Sequence, residues 1–76
     1  MNKQDRAQLT KAYAMIDEAK SIIEEIAETE QEKFDNLSEG LQQAERGARM
    51  EEAASELQDA CNALDDVLTI IESAQE

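Results

Sequence analysis

Carboxylates are the reactive groups that dominate this chain, whose 76 residues include 19 Asp and Glu, 7 Lys and Arg, one Cys and no His. Paired carboxylates can perform acid–base catalysis where they converge in a dry pocket. Neighbours such as Asp65 and Asp66 would instead diverge by about 100° around a helix. A serine or cysteine nucleophile, in turn, has no histidine to act as its base. We therefore predict that the protein is not an enzyme.

The single cysteine, Cys61, lies on an apolar stripe, which favours a reduced and packed thiol. An interchain disulfide or a redox role is the alternative. One Cys without His cannot assemble the usual zinc ligand sets. The sequence also contains no EF-hand loop, phosphate-binding glycine loop or dinucleotide fingerprint. It therefore predicts neither a specific metal site nor a cofactor.

Two long helices must position the carboxylates, because apolar residues recur at helical spacing along both halves of the chain. We predict a single domain over residues 1–76, with a helix at about 4–35, a turn with a short helix at 36–47, and a helix at about 48–75. Apolar residues also recur every seven positions, which is typical of coiled coils. These residues are Leu9, Ile16 and Ile23 in the first helix and Met50, Leu57, Leu64 and Ile71 in the second.

An antiparallel pairing of the two helices aligns their seven-residue repeats. Leu9 would face Ile71 and Ile16 would face Leu64, with the midpoint at Gly40. The sequence therefore predicts an all-α fold, an antiparallel helical hairpin of the coiled-coil type, although a different register remains open. Positions three and four residues after each repeat are also mostly apolar, which is wider than a seam between two helices requires. This excess predicts a homodimer or a larger helical bundle.

The connection between the helices, residues 34–47, contains both glycines and the single Phe. Asn36 is a good N-cap residue, and Glu39 completes the spacing of a capping box. Gly40 and Gly47 would each disfavour a helix interior by about 1 kcal/mol. These features predict a break near Asn36, a short helical turn, and a second break near Gly47 that begins the last helix.

Apolar side chains in this turn have two interpretations. In the first, Phe34, Leu37 and Leu41 pack against the end of the bundle, since apolar loop residues are usually buried. In the second, they anchor a partner protein, as interface hot spots do. The turn residues that could contact a partner are Phe34, Asn36, Leu37, Leu41 and Arg46.

Acids follow the apolar repeat residues in both helices, as in Ile23-Glu24-Glu25, so an acidic stripe accompanies each apolar one. Helix stability does not require this pattern, because like charges four residues apart are mildly destabilising. One interpretation is a solvated face that serves solubility. The other is a surface that binds a protein partner with a basic surface. The acids that would contact such a partner are Glu18, Glu25, Glu52, Asp59 and Asp66.

A formal net charge of −12 restricts the class of partner. Such a chain is repelled by nucleic acid backbones and by anionic membranes, so direct binding to either is not expected. No apolar run is long enough to span a membrane. No hydrophobic segment follows the basic residues Lys3 and Arg6 as it would in a signal peptide. Together with the single cysteine, these features predict a cytoplasmic location.

The turn and its flanks carry a recognisable pattern in the stretch EQEKFDNLSEGLQQAERGARMEE, residues 30–52. A glutamate-rich helix leads to F-D-N-L, E-x-L-Q and E-R-G, and a second heptad helix follows. With this pattern the chain resembles a family of short acidic helical proteins encoded by bacteriophages and prophages, which often carry proline in place of Ser38. The resemblance covers about residues 24–72 and implies the cytoplasm of a bacterial host, but no activity and no catalytic residues. The matching positions are Phe34, Asp35, Asn36, Leu37, Glu39, Leu41, Gln42, Glu45, Arg46 and Gly47.

Two functions are consistent with these features. In the first, the protein inhibits a host nucleic-acid-binding or defence protein by presenting carboxylates where DNA phosphates would bind, as a DNA mimic. In the second, it is a structural or assembly coiled-coil protein of a phage, and its acids serve solubility only. Substitutions of Ile16, Leu57 and Leu64 in the core would then affect function more than changes of surface charge.

Overall fold

Three helices account for most of the chain in the computed structural model, which describes residues 1–75. They are α1 (Lys3–Asp35), α2 (Glu39–Gln42) and α3 (Glu45–Ala74). The all-α prediction is confirmed, and the long helices begin and end within three residues of the predicted bounds. The last residue of the predicted domain, Glu76, lies outside the described residues. The Cα atoms extend over 58 × 15 × 13 Å, so the molecule is a rod.

The two long helices run antiparallel along this rod. Near the start of α1, the Tyr13 hydroxyl donates a hydrogen bond of 2.7 Å to Glu72, near the end of α3. Near the middle of both helices, the Cys61 sulfur lies 3.9 Å from the carbonyl oxygen of Lys20. The register shown by this contact differs by one residue from the predicted register, which pairs Ile16 with Leu64. The connection therefore folds the chain back on itself as a hairpin.

The core follows the seven-residue repeat, which we letter a to g with Leu57 at d and Cys61 at a. The most buried apolar residues all occupy a positions, four residues after each d position. Residues at d are half-buried instead. Three of the four most buried side chains are small, those of two Ala and one Cys. The buried apolar residues are Ala27, Ala54, Cys61 and Leu68.

Asn36 does not cap the short helix, contrary to the prediction. It ends α1 with φ −84° and ψ −5°, and its backbone N–H bonds to the Glu32 carbonyl oxygen. Ser38 is the N-cap of α2, because its backbone is extended and its side chain accepts a hydrogen bond of 3.4 Å from the Leu41 N–H. Glu39 is therefore the first residue of α2 rather than the partner in a capping box with Asn36.

Gly47 does not break the helix, which corrects a second prediction. Helix α3 begins at Glu45, after Ala44 with φ −73° and ψ 161°, and Gly47 is buried in its first turn. A Cβ atom built on Gly47 would overlap the Leu41 carbonyl oxygen and lie 2.7 Å from that of Gln42. The glycine thus permits close packing of α3 against the backbone of α2.

Candidate interaction surfaces

One long side of the hairpin is an acidic face, formed by the e and b positions of both helices. Polar contacts across the seam join a positions of α1, which its e positions flank, to e positions of α3: Lys20 bonds to Asp65 at 2.5 Å, and Tyr13 bonds to Glu72. Lys20 occupies an a position, and its side chain is 20% exposed as it reaches toward this face. The acids at e and b are Asp17, Glu24, Glu28, Asp35, Glu51, Asp65 and Glu72.

The acids predicted to bind a partner all occupy f positions, and all are exposed. An f position lies opposite the a/d seam, so these residues form two rows on opposite outer edges of the rod. Acids of the same helix therefore lie in one row, whereas acids of different helices lie on opposite edges of the rod. Two further exposed acids, Glu32 and Glu45, continue the rows at the same seven-residue spacing, which the sequence already displayed. The α1 row is Glu18, Glu25 and Glu32, and the α3 row is Glu45, Glu52, Asp59 and Asp66.

The turn residues form a small apolar cluster at one end of the rod. Phe34 and Leu37 are half-buried, whereas Leu41 is 56% exposed. The Gln42 side chain donates a hydrogen bond of 3.0 Å to the Phe34 carbonyl oxygen and so ties α2 to α1. A shallow cleft lies beside this cluster. Its lining residues are Leu37, Leu41, Ala44, Arg46, Gly47 and Met50, without Asn36 or Phe34.

An apolar face lies on the side of the hairpin opposite the acidic face, at the c and g positions. Its five large side chains are between 39% and 66% exposed. Alanines occupy six of the thirteen remaining c and g positions of α1 and α3. The acidic rows border it on both edges. The five large residues of this apolar face are Met15, Ile22, Ile26, Val67 and Ile70.

Three titratable groups at the seam have raised pKa values. The hydrogen bond to Glu72 raises the pKa of Tyr13 above its ordinary 10.0. The hydrogen bond to Asp65 raises the pKa of Lys20 above its ordinary 10.5. Burial raises the pKa of the Cys61 thiol, and the nearby Glu24 carboxylate adds to the shift. Because the thiol is buried and holds its proton, it is a poor nucleophile at neutral pH.

These shifts predict that the hairpin loses stability in alkaline solution. Each group binds its proton more tightly when folded, so its contribution is complete below the ordinary pKa and is lost as pH rises through the folded pKa. We expect the midpoint of thermal unfolding, measured by circular dichroism, to decline as pH rises past 10.0 and 10.5. The double variant Tyr13→Phe/Lys20→Met should show a smaller decline. An identical decline in the variant would contradict this origin.

The described part of the chain contains neither a metal-ligand cluster nor a membrane-spanning helix. Among residues 1–75, no three His, Cys, Asp or Glu side chains come together as metal ligands. None of the helices in that range is long and apolar enough to cross a membrane. In comparisons with known proteins, no family model matches the chain, and neither a curated protein nor a solved structure is significantly similar to it. The phage family suggested by the turn pattern therefore stays a prediction.

Proposed function

We propose that this is a non-enzymatic protein that binds a partner with a basic surface through its α1 or α3 row. The supporting observation is that exposed acids occupy the f position in three consecutive repeats of α1 and four of α3. Successive acids in a row lie about 10 Å apart along the helix. Exposed carboxylates at this spacing can meet a series of Lys and Arg side chains on one side of a partner.

The charge density of the rod indicates how strong such binding can be. A net charge of −12 along 58 Å corresponds to about one negative charge per 5 Å. B-DNA carries about one per 1.7 Å, roughly three times as many. A protein that holds nucleic acid could therefore accept these rows in place of phosphates, with fewer ionic contacts than DNA would make. Binding should depend on salt, and less steeply than DNA binding does.

A narrower form of the proposal makes the partner a host nucleic-acid-binding or defence protein that a phage product inhibits. Its support is the resemblance of the turn pattern to that of phage proteins, at positions that include Phe34, Leu37 and Arg46. In the structure the cleft beside Leu37 and Arg46 lies at the end of both rows. An inhibitor could therefore combine ionic contacts along a row with an apolar contact at the turn.

The test is capture of host proteins by the tagged full chain at about 0.1 M and about 0.5 M salt, where the screening length falls from about 10 Å to under about 5 Å. We expect a nucleic-acid-handling protein to be captured at low salt and released at high salt. Two matched variants then locate the contact, since each removes three acids of one row. They are Glu18→Gln/Glu25→Gln/Glu32→Gln and Glu52→Gln/Asp59→Asn/Asp66→Asn.

The two variants control for each other, because each changes the net charge by three and keeps the helical side-chain shape nearly constant. Loss of capture by at least about tenfold, equivalent to about 1.4 kcal/mol, in one variant only would locate the binding row. Equal and small losses in both would indicate a general effect of net charge. Unchanged capture in both variants would overturn the proposal.

The apolar face favours a second function, that of a structural or assembly protein. Five large exposed aliphatic side chains on one side exceed what a solitary hairpin needs. In that case the purified chain should reach its working assembly alone. Core substitutions at Ile16, Leu57 or Leu64 should then abolish activity, whereas the two row variants should retain it.

A further inference from the structure

The apolar face has no covering element among residues 1–75. We propose that a second copy of this chain covers it, in a two-fold arrangement that places the turn of each copy beside the termini of the other. In this arrangement α1 packs against α1 of the second copy and α3 against its α3, in antiparallel directions. The proposal rests on the apolar face and on the charges at its two ends, and it does not depend on either acidic row.

The exposed area of the chain supports an interface of ordinary size. The accessible surface is 5685 Å² for a mass of 8.5 kDa. A compact monomer of that mass would expose about 4,700 Å² by the usual area–mass scaling, so the excess is about 1,000 Å². A standard stable interface covers about 800 Å² on each partner. One broad side of the rod, 58 Å long and 15 Å wide, offers an area of this order.

Side-chain sizes along the face suit the proposed rotation. The middle of α1 falls at Ala19, and Met15 and Ile22 lie on either side of it. Rotation that exchanges the ends of the rod therefore places Ile22 of one copy over Met15 of the other. On α3, Val67 and Ile70 lie toward the termini, whereas Ala53 and Ala60 occupy two of the g positions toward the turn. The same rotation brings Val67 of one copy near Ala53 of the other, a large side chain against a small one, as close packing requires.

Charges at the two ends of the apolar face favour packing of the turn against the termini of the second copy over packing of turn against turn. Lys33, Arg46 and Arg49 occupy g and c positions at the turn end, and Asp5 occupies a g position at the terminal end. The proposed rotation brings the basic turn of one copy to Asp5 and to the C-terminus of α3 of the other, where the helix dipole is negative. Stacking turn over turn would instead bring the basic residues of both copies together.

The acids do not oppose the proposed contact strongly, because most of them point away from it. Positions e, b and f lie outside the face, and Glu56 at a c position lies on its outer rim. The remaining repulsion between two chains of charge −12 is screened by salt. The dimer should therefore persist or tighten as salt rises, whereas binding of a basic partner should weaken. Failure of one proposal is thus distinguishable from failure of the other.

Sedimentation equilibrium of the full chain tests the proposal, at protein concentrations from about 1 µM to about 1 mM, the range of Kd values expected for such contacts. We expect twice the monomer mass of 8.5 kDa, retained when salt rises from about 0.1 M to about 0.5 M. The variant Ile22→Glu should weaken association at least about tenfold. Asn62→Glu adds the same charge on the acidic face of α3 and should weaken it less than about threefold. A monomer throughout this range, or equal weakening by both variants, would overturn the proposal.

The direction of packing is tested by exchanging charges between the ends. Asp5→Lys and Lys33→Asp should each weaken association, because each removes the attraction between one end and the opposite end of the second copy. The double variant Asp5→Lys/Lys33→Asp restores both pairs across the interface and should associate more tightly than either single variant. A double variant that is weaker than both single variants would exclude the proposed direction.

Discussion

Replacing Gly47 with alanine is expected to destabilise the hairpin by about 2 kcal/mol, although alanine is the better helix former. The new Cβ atom would overlap the Leu41 carbonyl oxygen and lie 2.8 Å from the Gln42 Cα atom. Both obstacles are backbone, so α2 must move away from α3 to admit the methyl group. That movement would also strain the hydrogen bond from the Gln42 side chain to the Phe34 carbonyl oxygen.

Gly40→Ala is the matched control, because it adds the same methyl group in the same turn. No atom lies within 4 Å of a Cβ built on Gly40. Alanine restricts the unfolded chain more than glycine does, so this variant should gain about 0.4–1 kcal/mol. Chemical denaturation followed by circular dichroism gives both free energies of unfolding. A Gly47→Ala variant as stable as Gly40→Ala would show that α2 does not pack closely on α3.

The helices and their pairing could be predicted from the sequence because both depend on a pattern that repeats. Seven-residue spacing of apolar side chains defines the seam, and two aligned repeats define the register to within one residue at Lys20 and Cys61. The ends of the turn depend on single residues instead. Asn36 and Ser38 are both good cap residues two positions apart, and only the backbone conformation distinguishes them.

The role of Gly47 was missed for a different reason. A glycine favours helix breaks and also permits close approach of two backbones, and a sequence alone does not separate these uses. Here the second use applies, because α2 folds back over the first turn of α3. Secondary-structure patterns carry no information on such a tertiary contact.

The positions of the surface acids within each helix could be predicted from the repeat, whereas the faces that the two helices share depend on how the connection folds the chain. The sequence shows acids at f in both helices, but helical periodicity alone does not say which sides of two helices face the same way. The hairpin places e and b of both helices on one side and c and g on the other. The exposed aliphatic residues Met15 and Ile70, from opposite ends of the chain, thus share one face.

Leu68→Ala should have the largest effect of any single truncation in α3, a loss of about 2–5 kcal/mol. Leu68 is 6% exposed and is the largest of the four buried apolar side chains. A domain of this size rarely gains more than about 3–5 kcal/mol from its core, so the variant should be largely unfolded at room temperature. Thermal unfolding at a low protein concentration would measure the loss. A variant within about 1 kcal/mol of the parent would show that the seam lies elsewhere.

Ile70→Ala removes a similar aliphatic side chain two residues away, but Ile70 is 66% exposed. In the monomer this change should cost less than about 1 kcal/mol, because the side chain already contacts water and alanine favours the helix. If a second copy covers the apolar face, the cost should grow with protein concentration, since association adds stability only to the folded state. The cost of Leu68→Ala should be large at every concentration. The two variants together therefore separate the contacts that fold one chain from those that join two.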